Sequence, residues 1–384
     1  MRVAVTGGSG FIGTHVVDRL LDAGHEVRAL DLDVNGADRR ADHQVVDVLD
    51  LDGLVAAFGG CDAVFHIAGM SNVDFAFADP VGTVRLNVEG TGNVCEAARR
   101  TGVRRVLFAS TVWVYGAVPE PSGATGSGPG GPGGPGGPGG PGEALTEDAP
   151  IGLDRAGHVY TSTKLAAELL LHSYRETYGL PFTILRYGIP YGPGMRDELV
   201  LARFVAGALA GRPLTVAGDG RQFRRYVYVR DLADAHVRAL SAPEAENTTI
   251  ALEGAERVSV LEMAEAVRAH FPNIEIEHVP ARPGDYRGRE VSSDRAARLL
   301  GWRPTTTFRD GVRQYVEWYL AREPAQAGAA DRNAPRGPRV EPAPLSAADR
   351  PPVVPPDERA VGRGGGRKAP PARSGGVPAT SVER

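Results

Sequence analysis

Tyr160 and Lys164 stand four positions apart in the stretch HVYTSTKLAAE, residues 158–168. The residue types predict a helix there, which puts both side chains on one face and within reach of each other. A tyrosine beside an ammonium group is a candidate proton-transfer pair, because that cation, together with a positively charged hydride acceptor bound nearby, favours the phenolate and lowers its pKa toward the working pH. A phenolate can accept a hydroxyl proton while hydride leaves the same carbon, provided a hydride acceptor is bound nearby. The spacing alone carries little weight, since two surface residues often stand this far apart. A third polar group is needed to orient the hydroxyl, and FASTVWVYG, residues 108–116, supplies Ser110 and Thr111 at the carboxyl end of an apolar run. One of those two is expected only to cap the backbone at a strand end.

The hydride acceptor has a candidate site at the start of the chain. TGGSGFIG, Thr6–Gly13, directly follows an apolar run and opens a helical stretch, which is the context a phosphate-cradling glycine loop requires. Gly7, Gly10 and Gly13 permit a tight turn, close backbone approach to a pyrophosphate, and close packing of helix on strand. Phe11 and Ile12 begin a helix whose N-terminal N–H groups are available to the anion. Asp31 ends the next apolar run, in VRALDLD, at the spacing where a carboxylate hydrogen-bonds an adenosine ribose. With Asp33 close by it would repel a 2′-phosphate, so NAD is expected in preference to NADP.

These residues need a scaffold, and the chain is long enough to build one. Its 384 residues, 42% hydrophobic and 23% charged, fit a globular enzyme of two domains. A net charge of −4 steers the molecule toward neither nucleic acid nor anionic lipid. No apolar run approaches the length of a membrane span. The opening MRVAVTGGSG is strand-like from position 2 and leaves no room for a signal peptide. Cys61 and Cys95 stand apart without C-x-x-C spacing and read as reduced thiols of a cytoplasmic protein. No metal is expected.

From residue 1 to 186, the apolar runs RVAVTG, EVRAL, QVVDV, DAVFHIA, RVLFAS and FTILR alternate with helical candidates such as FIGTHVVDRLLDAG and VRLNVEGTGNVCEAARRTG. Strands that are apolar on both faces and alternate with helices predict an α/β fold, a Rossmann-type doubly wound parallel sheet covered on both sides. Residues 187–321 are less regular, as a smaller C-terminal α/β substrate-binding domain would be, and end in the helix-like FRDGVRQYVEWYLA. Within the first domain, residues 122–142 contain five Gly-Pro-Gly triplets and read as a disordered insert. Residues 322–384, rich in Pro, Ala, Gly and Arg, read as a disordered tail.

Taken in order, these motifs resemble the extended short-chain dehydrogenase/reductase family, the NAD-dependent epimerases and dehydratases of nucleotide sugars. The resemblance rests on the glycine loop, Asp31, DV at 47–48, HIAG at 66–69, Asn87, ASTVWVYG, the Tyr160–Lys164 pair, LRYGIPYGP, GDGRQFRRYVYVRDLA and RPGD at 282–285. It implies that Asp47 and Val48 flank the adenine and that Ala68, Gly69 and Asn87 line the cofactor cleft. Lys164 would also hold the nicotinamide ribose. Thr111 falls at the family's catalytic Ser or Thr, and Tyr160 at its general base. Arg224, Arg282 and Asp285 match positions that bind the nucleotide diphosphate and its ribose, for which an arginine fork is suited. A nucleotide-sugar substrate and a homodimer are implied as well. The chain departs from the family at Ile189, where many members have Asn, at Arg225, where Asp is usual, and at Ser71, where one branch has Lys.

The two residues after Thr111 bear on the reaction. Sugar dehydratases of this family carry Asp-Glu there and UDP-glucuronate decarboxylases Ser-Glu, since eliminating water across C5–C6 needs an acid and a base beside those carbons. Val112 and Trp113 transfer no protons, so the expectation is an epimerase acting at C4, of UDP-glucose or UDP-glucuronate type. The alternatives are a dehydratase, a net oxidoreductase of the same fold acting on a non-nucleotide alcohol, and a non-catalytic dinucleotide-binding regulator whose tail reaches a partner.

Overall fold

A computed structural model of the chain describes residues 1–34, 40–116, 144–152, 157–280 and 290–326. In the first half lie β1 (Arg2–Thr6), α1 (Phe11–Asp22), β2 (Glu26–Asp31), β3 (Asp42–Val45), α2 (Leu51–Phe58), β4 (Ala63–His66), α3 (Val73–Ala78), α4 (Pro80–Val84), α5 (Gly90–Thr101), β5 (Arg105–Thr111), α6 (Val159–Tyr178) and β6 (Phe182–Tyr187). There follow β7 (Ile189–Tyr191), α7 (Val200–Leu209), β8 (Leu214–Ala217), β9 (Phe223–Tyr228), α8 (Val229–Ser241), β10 (Thr248–Leu252), β11 (Arg257–Ser259), α9 (Val260–Arg268), β12 (Ile276–Val279), α10 (Asp294–Leu300) and α11 (Phe308–Gln326).

Seven strands form one parallel sheet in the order β10-β6-β5-β4-β1-β2-β3. The six apolar runs of the first half supply six of them. The seventh, β10, comes from well beyond residue 186, so the sheet draws on both segments of the chain. Its Ile250, Ala251 and Leu252 are fully buried, as a strand covered on both faces must be. One face packs against α1, α8 and α10 through Val16, Leu20, Leu232 and Trp302. The other packs against α2, α5 and α6 through Leu54, Phe58, Val94, Ala167 and Leu171.

The chain winds outward from β1 in both directions, toward β3 on one side and toward β4, β5 and β6 on the other. Where the winding reverses, between β1 and β4, the loops leave the sheet on opposite sides and open a crevice at the strands' carboxyl ends. A separate apolar cluster formed by α7, α9, α11 and strands β7, β8 and β9, with Phe204, Met263, Phe308 and Tyr315 at its centre, walls the crevice on the far side.

Two elements depart from the sequence expectation. The helix read over VRLNVEGTGNVCEAARRTG is interrupted by a π turn at Arg85–Glu89, which turns Asn87 inward to 2% exposure. At the other end, α11 runs through Gln326, past residue 321 where a tail was expected to begin. Arg322 holds this last turn down, pairing with Asp197 at 3.1 Å and lying 4.7 Å over the Tyr319 ring. The Gly-Pro insert at 122–142 and the tail beyond 326 lie outside the described residues. No described helix is long and apolar enough to cross a membrane.

Candidate active site

The glycine loop sits at the amino end of α1. Gly7 takes φ +72°, and a Cβ there would lie 2.7 Å from the backbone nitrogen of Ala68, so only glycine lets the loop approach the strand-β4 exit this closely. A Cβ at Gly13 would fall 1.8 Å from the Gly7 carbonyl oxygen, which fixes that position as glycine as well. The α1 N-cap, Gly10, has no side-chain cap, and no acidic residue stands in the first turn, so the N–H groups and the positive end of the helix remain available to an anion. Asp31 at the end of β2 accepts hydrogen bonds from Ser9 N at 3.0 Å and Leu32 N at 2.8 Å. These bonds tie its carboxylate to the loop. Ser9 Oγ beside it is buried without a hydrogen-bond partner, as expected of a hydroxyl awaiting a polar ligand group.

A continuous cavity of about 1250 Å³ runs from this loop into the second lobe. Gly7, Gly10, Phe11, Ile12, Gly13, Asp31, Asp47, Val48, Ala68, Gly69, Thr111, Tyr160, Lys164 and Arg224 all line it. Asn87 stands behind the wall. It accepts from Met70 N at 2.7 Å and donates to Met70 O at 3.0 Å and Thr163 Oγ1 at 2.9 Å, clamping the loop that carries Gly69. A Cβ on Gly69 would come within 2.9 Å of Asn87 Oδ1 and 3.4 Å of Lys164 Nζ, so the cleft floor at this point is bare backbone. The cradle, the uncapped helix end, the Asp31 carboxylate at the cavity wall and the orphaned Ser9 hydroxyl fit a dinucleotide. Arg282 and Asp285 lie outside the described residues.

Helix α6 begins at the His158 cap, whose side chain accepts from Thr161 N, and buries Tyr160, Lys164 and Glu168 along one stripe at four-residue spacing. Glu168 receives Ser110 Oγ at 2.5 Å and two bonds from Arg186, at 2.9 and 2.6 Å, while Arg186 also reaches Tyr115 OH at 2.7 Å. This network bolts α6 to β5 and β6, and it assigns Ser110 to structure. Thr111 is left at the cavity. Its Oγ1 accepts from Trp113 N at 3.2 Å, which leaves the hydroxyl proton to be donated into the site.

Lys164 is buried, donates to Ala109 O at 2.9 Å and lies 4.9 Å over the Phe108 ring. Burial pulls its pKa down to about 8, against the opposing pull of Glu168. Tyr160 is pushed up to about 12 by burial, while a hydrogen bond with Thr111 and the Arg196 guanidinium act in the other direction. In the protein alone, loss of water around the phenol outweighs Thr111 and Arg196; the lowering expected from Lys164 together with a bound nicotinamide belongs to the cofactor-loaded site.

Sequence reasoning missed Arg196. Its side chain lines the cavity beside Tyr160, and burial lowers its pKa against the pull of Glu198 and Tyr160. No motif marked it: it lies in the GMRDE segment after Gly192, and only the fold brings that segment back over α6. The departures from the family pattern also have places. Ile189 and Ser71 line the cavity. Arg225 pairs instead with Glu290 at 2.9 Å and donates to Gly254 O at 3.0 Å.

Residues 3–252 match the model of the NAD dependent epimerase/dehydratase family. UDP-glucose 4-epimerase of Mycolicibacterium smegmatis is 33% identical over 337 residues, covering 83% of this chain and 98% of that protein. UDP-glucuronic acid decarboxylase 3 of Arabidopsis thaliana is 31% identical, covering 81% and 87% respectively. The crystal structure of UDP-glucose 4-epimerase from Thermus thermophilus in complex with NAD superimposes with a TM-score of 0.69 at 32% identity, over 83% of this chain and 99% of that one.

Proposed function

The chain belongs to the NAD-dependent epimerase/dehydratase family, and from that premise we propose that it inverts C4 of a nucleotide-diphosphate sugar through a transient 4-keto intermediate. Gly7, Gly10 and Gly13 would hold the pyrophosphate, Asp31 the adenosine ribose and Lys164 the nicotinamide ribose. Bound NAD supplies a hydride acceptor that returns the hydride at the end of the cycle. Tyr160 removes the C4 hydroxyl proton and later gives it back, and Thr111 donates to the same oxygen. Arg196 and the hydrogen bond from Thr111 favour the phenolate that burial resists, and Lys164 with the bound nicotinamide would add to them.

The observation that carries this reading is the content of the turn after β5. Thr111 is beside Tyr160, but the next two side chains, Val112 and Trp113, offer no acid or base for elimination. The test is to incubate the purified protein, without added cofactor, with UDP-, dTDP-, GDP- and CDP-sugars and identify the products. A 4-epimer formed without net NADH supports the reading. Loss of water or carbon dioxide would make it a dehydratase or decarboxylase, and stoichiometric demand for NAD(H) a net oxidoreductase.

Arg196 favours one substrate within this class. A half-buried guanidinium with no hydrogen-bond partner for its side chain among the described residues suits a C6 carboxylate, so we infer a uronate in preference to a neutral hexose. Arg196→Ala should then raise KM for the uronate far more than for the hexose.

A second copy of the chain is the proposed partner. Phe77, Val81 and Val84 on α3 and α4, and Leu169 on the α6 they pack against, are 46–70% exposed. Light scattering that gives the monomer mass would exclude this. The two cysteines, free and buried, accord with the proposed cytoplasmic setting.

A further inference from the structure

Building on the epimerase reading, we propose that Trp113 is the substrate-positioning residue of the sugar subsite, the platform on which the apolar face of the pyranose lies while Tyr160 works on the C4 hydroxyl. Trp113 is the second residue of a one-turn 3₁₀ helix, Val112–Tyr115, immediately after Thr111. Two backbone bonds fix it: its N–H donates to Thr111 Oγ1 at 3.2 Å and its carbonyl accepts from Gly116 N at 2.9 Å. The indole lines the cavity beside Thr111 and Tyr160 and is 39% exposed, whereas those neighbours are 6% and 9% exposed. The chain's other tryptophans are used for packing. Trp302 is 1% exposed in the core, and Trp318 lies against Tyr315 and under Arg322. A large apolar side chain held open on a cavity wall, next to the proton-transfer group, is placed to meet a ligand.

Its orientation is also fixed. The rings of His158 and Tyr160 stack at 21° with centroids 6.0 Å apart, and the indole stands nearly perpendicular to both, at 65° and 5.5 Å from His158 and 79° and 6.5 Å from Tyr160. His158 is held by its cap on α6, accepting from Thr161 N at 3.3 Å. The three rings form an aromatic corner beside Thr111.

An indole face attracts C–H groups through its negative π cloud without demanding one donor–acceptor geometry. That property fits a reaction in which the keto sugar must present first one face and then the other to the same cofactor. A hydrogen-bonding side chain at this place would favour one orientation and hinder the turn. An aromatic platform supports both.

The test compares UDP with UDP-glucuronate as probes, by calorimetry on the NAD-loaded protein, for the unaltered chain, Trp113→Ser and Trp113→Phe. A ring contact with the sugar predicts that Trp113→Ser leaves UDP affinity within twofold. The additional affinity conferred by the glucuronate moiety should fall about three- to tenfold, the scale of a lost aromatic contact, and Trp113→Phe should restore most of it. Equal losses for UDP and UDP-glucuronate would show that Trp113 only supports the turn, and no loss for either would show that it touches no sugar. A glucuronate moiety that adds no affinity in the unaltered protein would also overturn the proposal. None of these readouts needs turnover, so a protein that shows the affinity split but forms no 4-epimer would sink the epimerase reading and leave the platform standing.

Discussion

Lys164 Nζ donates to the carbonyl oxygen of Ala109 at 2.9 Å. Beside the Ser110–Glu168 bond one turn further along the helix, it ties α6 to the end of β5, so the helix bearing Tyr160 and the strand bearing Thr111 are held together in part by Lys164 itself. Substituting the two members of the pair should therefore give different results. Tyr160→Phe removes only a phenol oxygen and should keep NAD content and melting temperature while lowering turnover by about a hundredfold or more, the scale of a lost acid/base group. Lys164→Met removes the strand contact and the proposed ribose ligand together and should lose bound NAD as well as turnover. Near-normal turnover in Tyr160→Phe would make the buried pair a packing and hydrogen-bonding contact and nothing more.

Asp31 is the proposed determinant of cofactor choice. Its carboxylate is pinned by Ser9 N and Leu32 N and cannot swing away from a 2′-phosphate without breaking those bonds. A like-charge contact of this kind costs several kcal/mol, so calorimetry should show NAD binding at least about tenfold tighter than NADP. Asp31→Ser should narrow the gap. Equal affinities in the unaltered chain would remove Asp31 from the ribose site.

The sheet and the cofactor half of the cavity were legible in the sequence because both rest on local signals. Apolar runs of strand length, a glycine loop between strand and helix, and an acidic residue about twenty positions on each occupy one short window. What could not be read depends on distant pieces meeting. β10 joins the sheet from across the intervening lobe. The π turn that rotates Asn87 inward has no spacing of its own, since Arg85–Glu89 reads as continuous helix. Arg196 reaches Tyr160 only because the loop after β7 folds back over α6. The depth of burial around Tyr160 was equally hidden: sequence shows Lys164 four positions on but not the loss of water that pushes the phenol up in the protein alone.

Two buried histidines predict sensitivity to acid. Burial pulls His66 down to about 3, with Lys164 adding to the effect, and pulls His236 down to about 4 against a bond to the Leu232 carbonyl. Thr6 Oγ1 at 2.8 Å and Thr91 Oγ1 at 3.0 Å flank the His66 ring. Both folded-state values lie below the ordinary value of 6.5, so the unfolded chain binds more protons in the interval. Their contribution to stability is complete above that pH and is lost as pH falls toward 4 and then 3. Each histidine adds a slope of about 1.4 kcal/mol per pH unit over its interval. Urea midpoints measured from pH 7 to pH 4.5 should fall, and His66→Gln should show a shallower fall, by about one proton, even if it starts less stable. An unchanged slope in that variant would mean that His66 is not neutral in the folded protein.

The Gly-Pro insert is expected to be dispensable for chemistry. The described chain stops at Gly116, just after the turn that carries Trp113, and resumes at residue 144. On the far side, Leu145 is anchored at once: its N–H donates to Glu290 O at 2.9 Å and its carbonyl accepts from Ser292 N at 2.7 Å. Both ends are thus fixed by contacts that owe nothing to residues 122–142. That stretch offers a closing lid little to work with, since its side chains capable of hydrogen bonding are limited to Ser122, Thr125 and Ser127 and it has no aromatic or charged residue. Loop closure costs only about 0.6 kcal/mol per doubling of loop length, so shortening this connection is expected to change stability little. Deleting residues 126–141 should leave kcat within about threefold, far from the hundredfold scale of a lost proton-transfer group. A lid would behave differently, because it must keep the keto sugar from water until hydride returns. A large fall in kcat on deletion, or release of 4-keto sugar with NADH left on the protein, would assign that role to the insert.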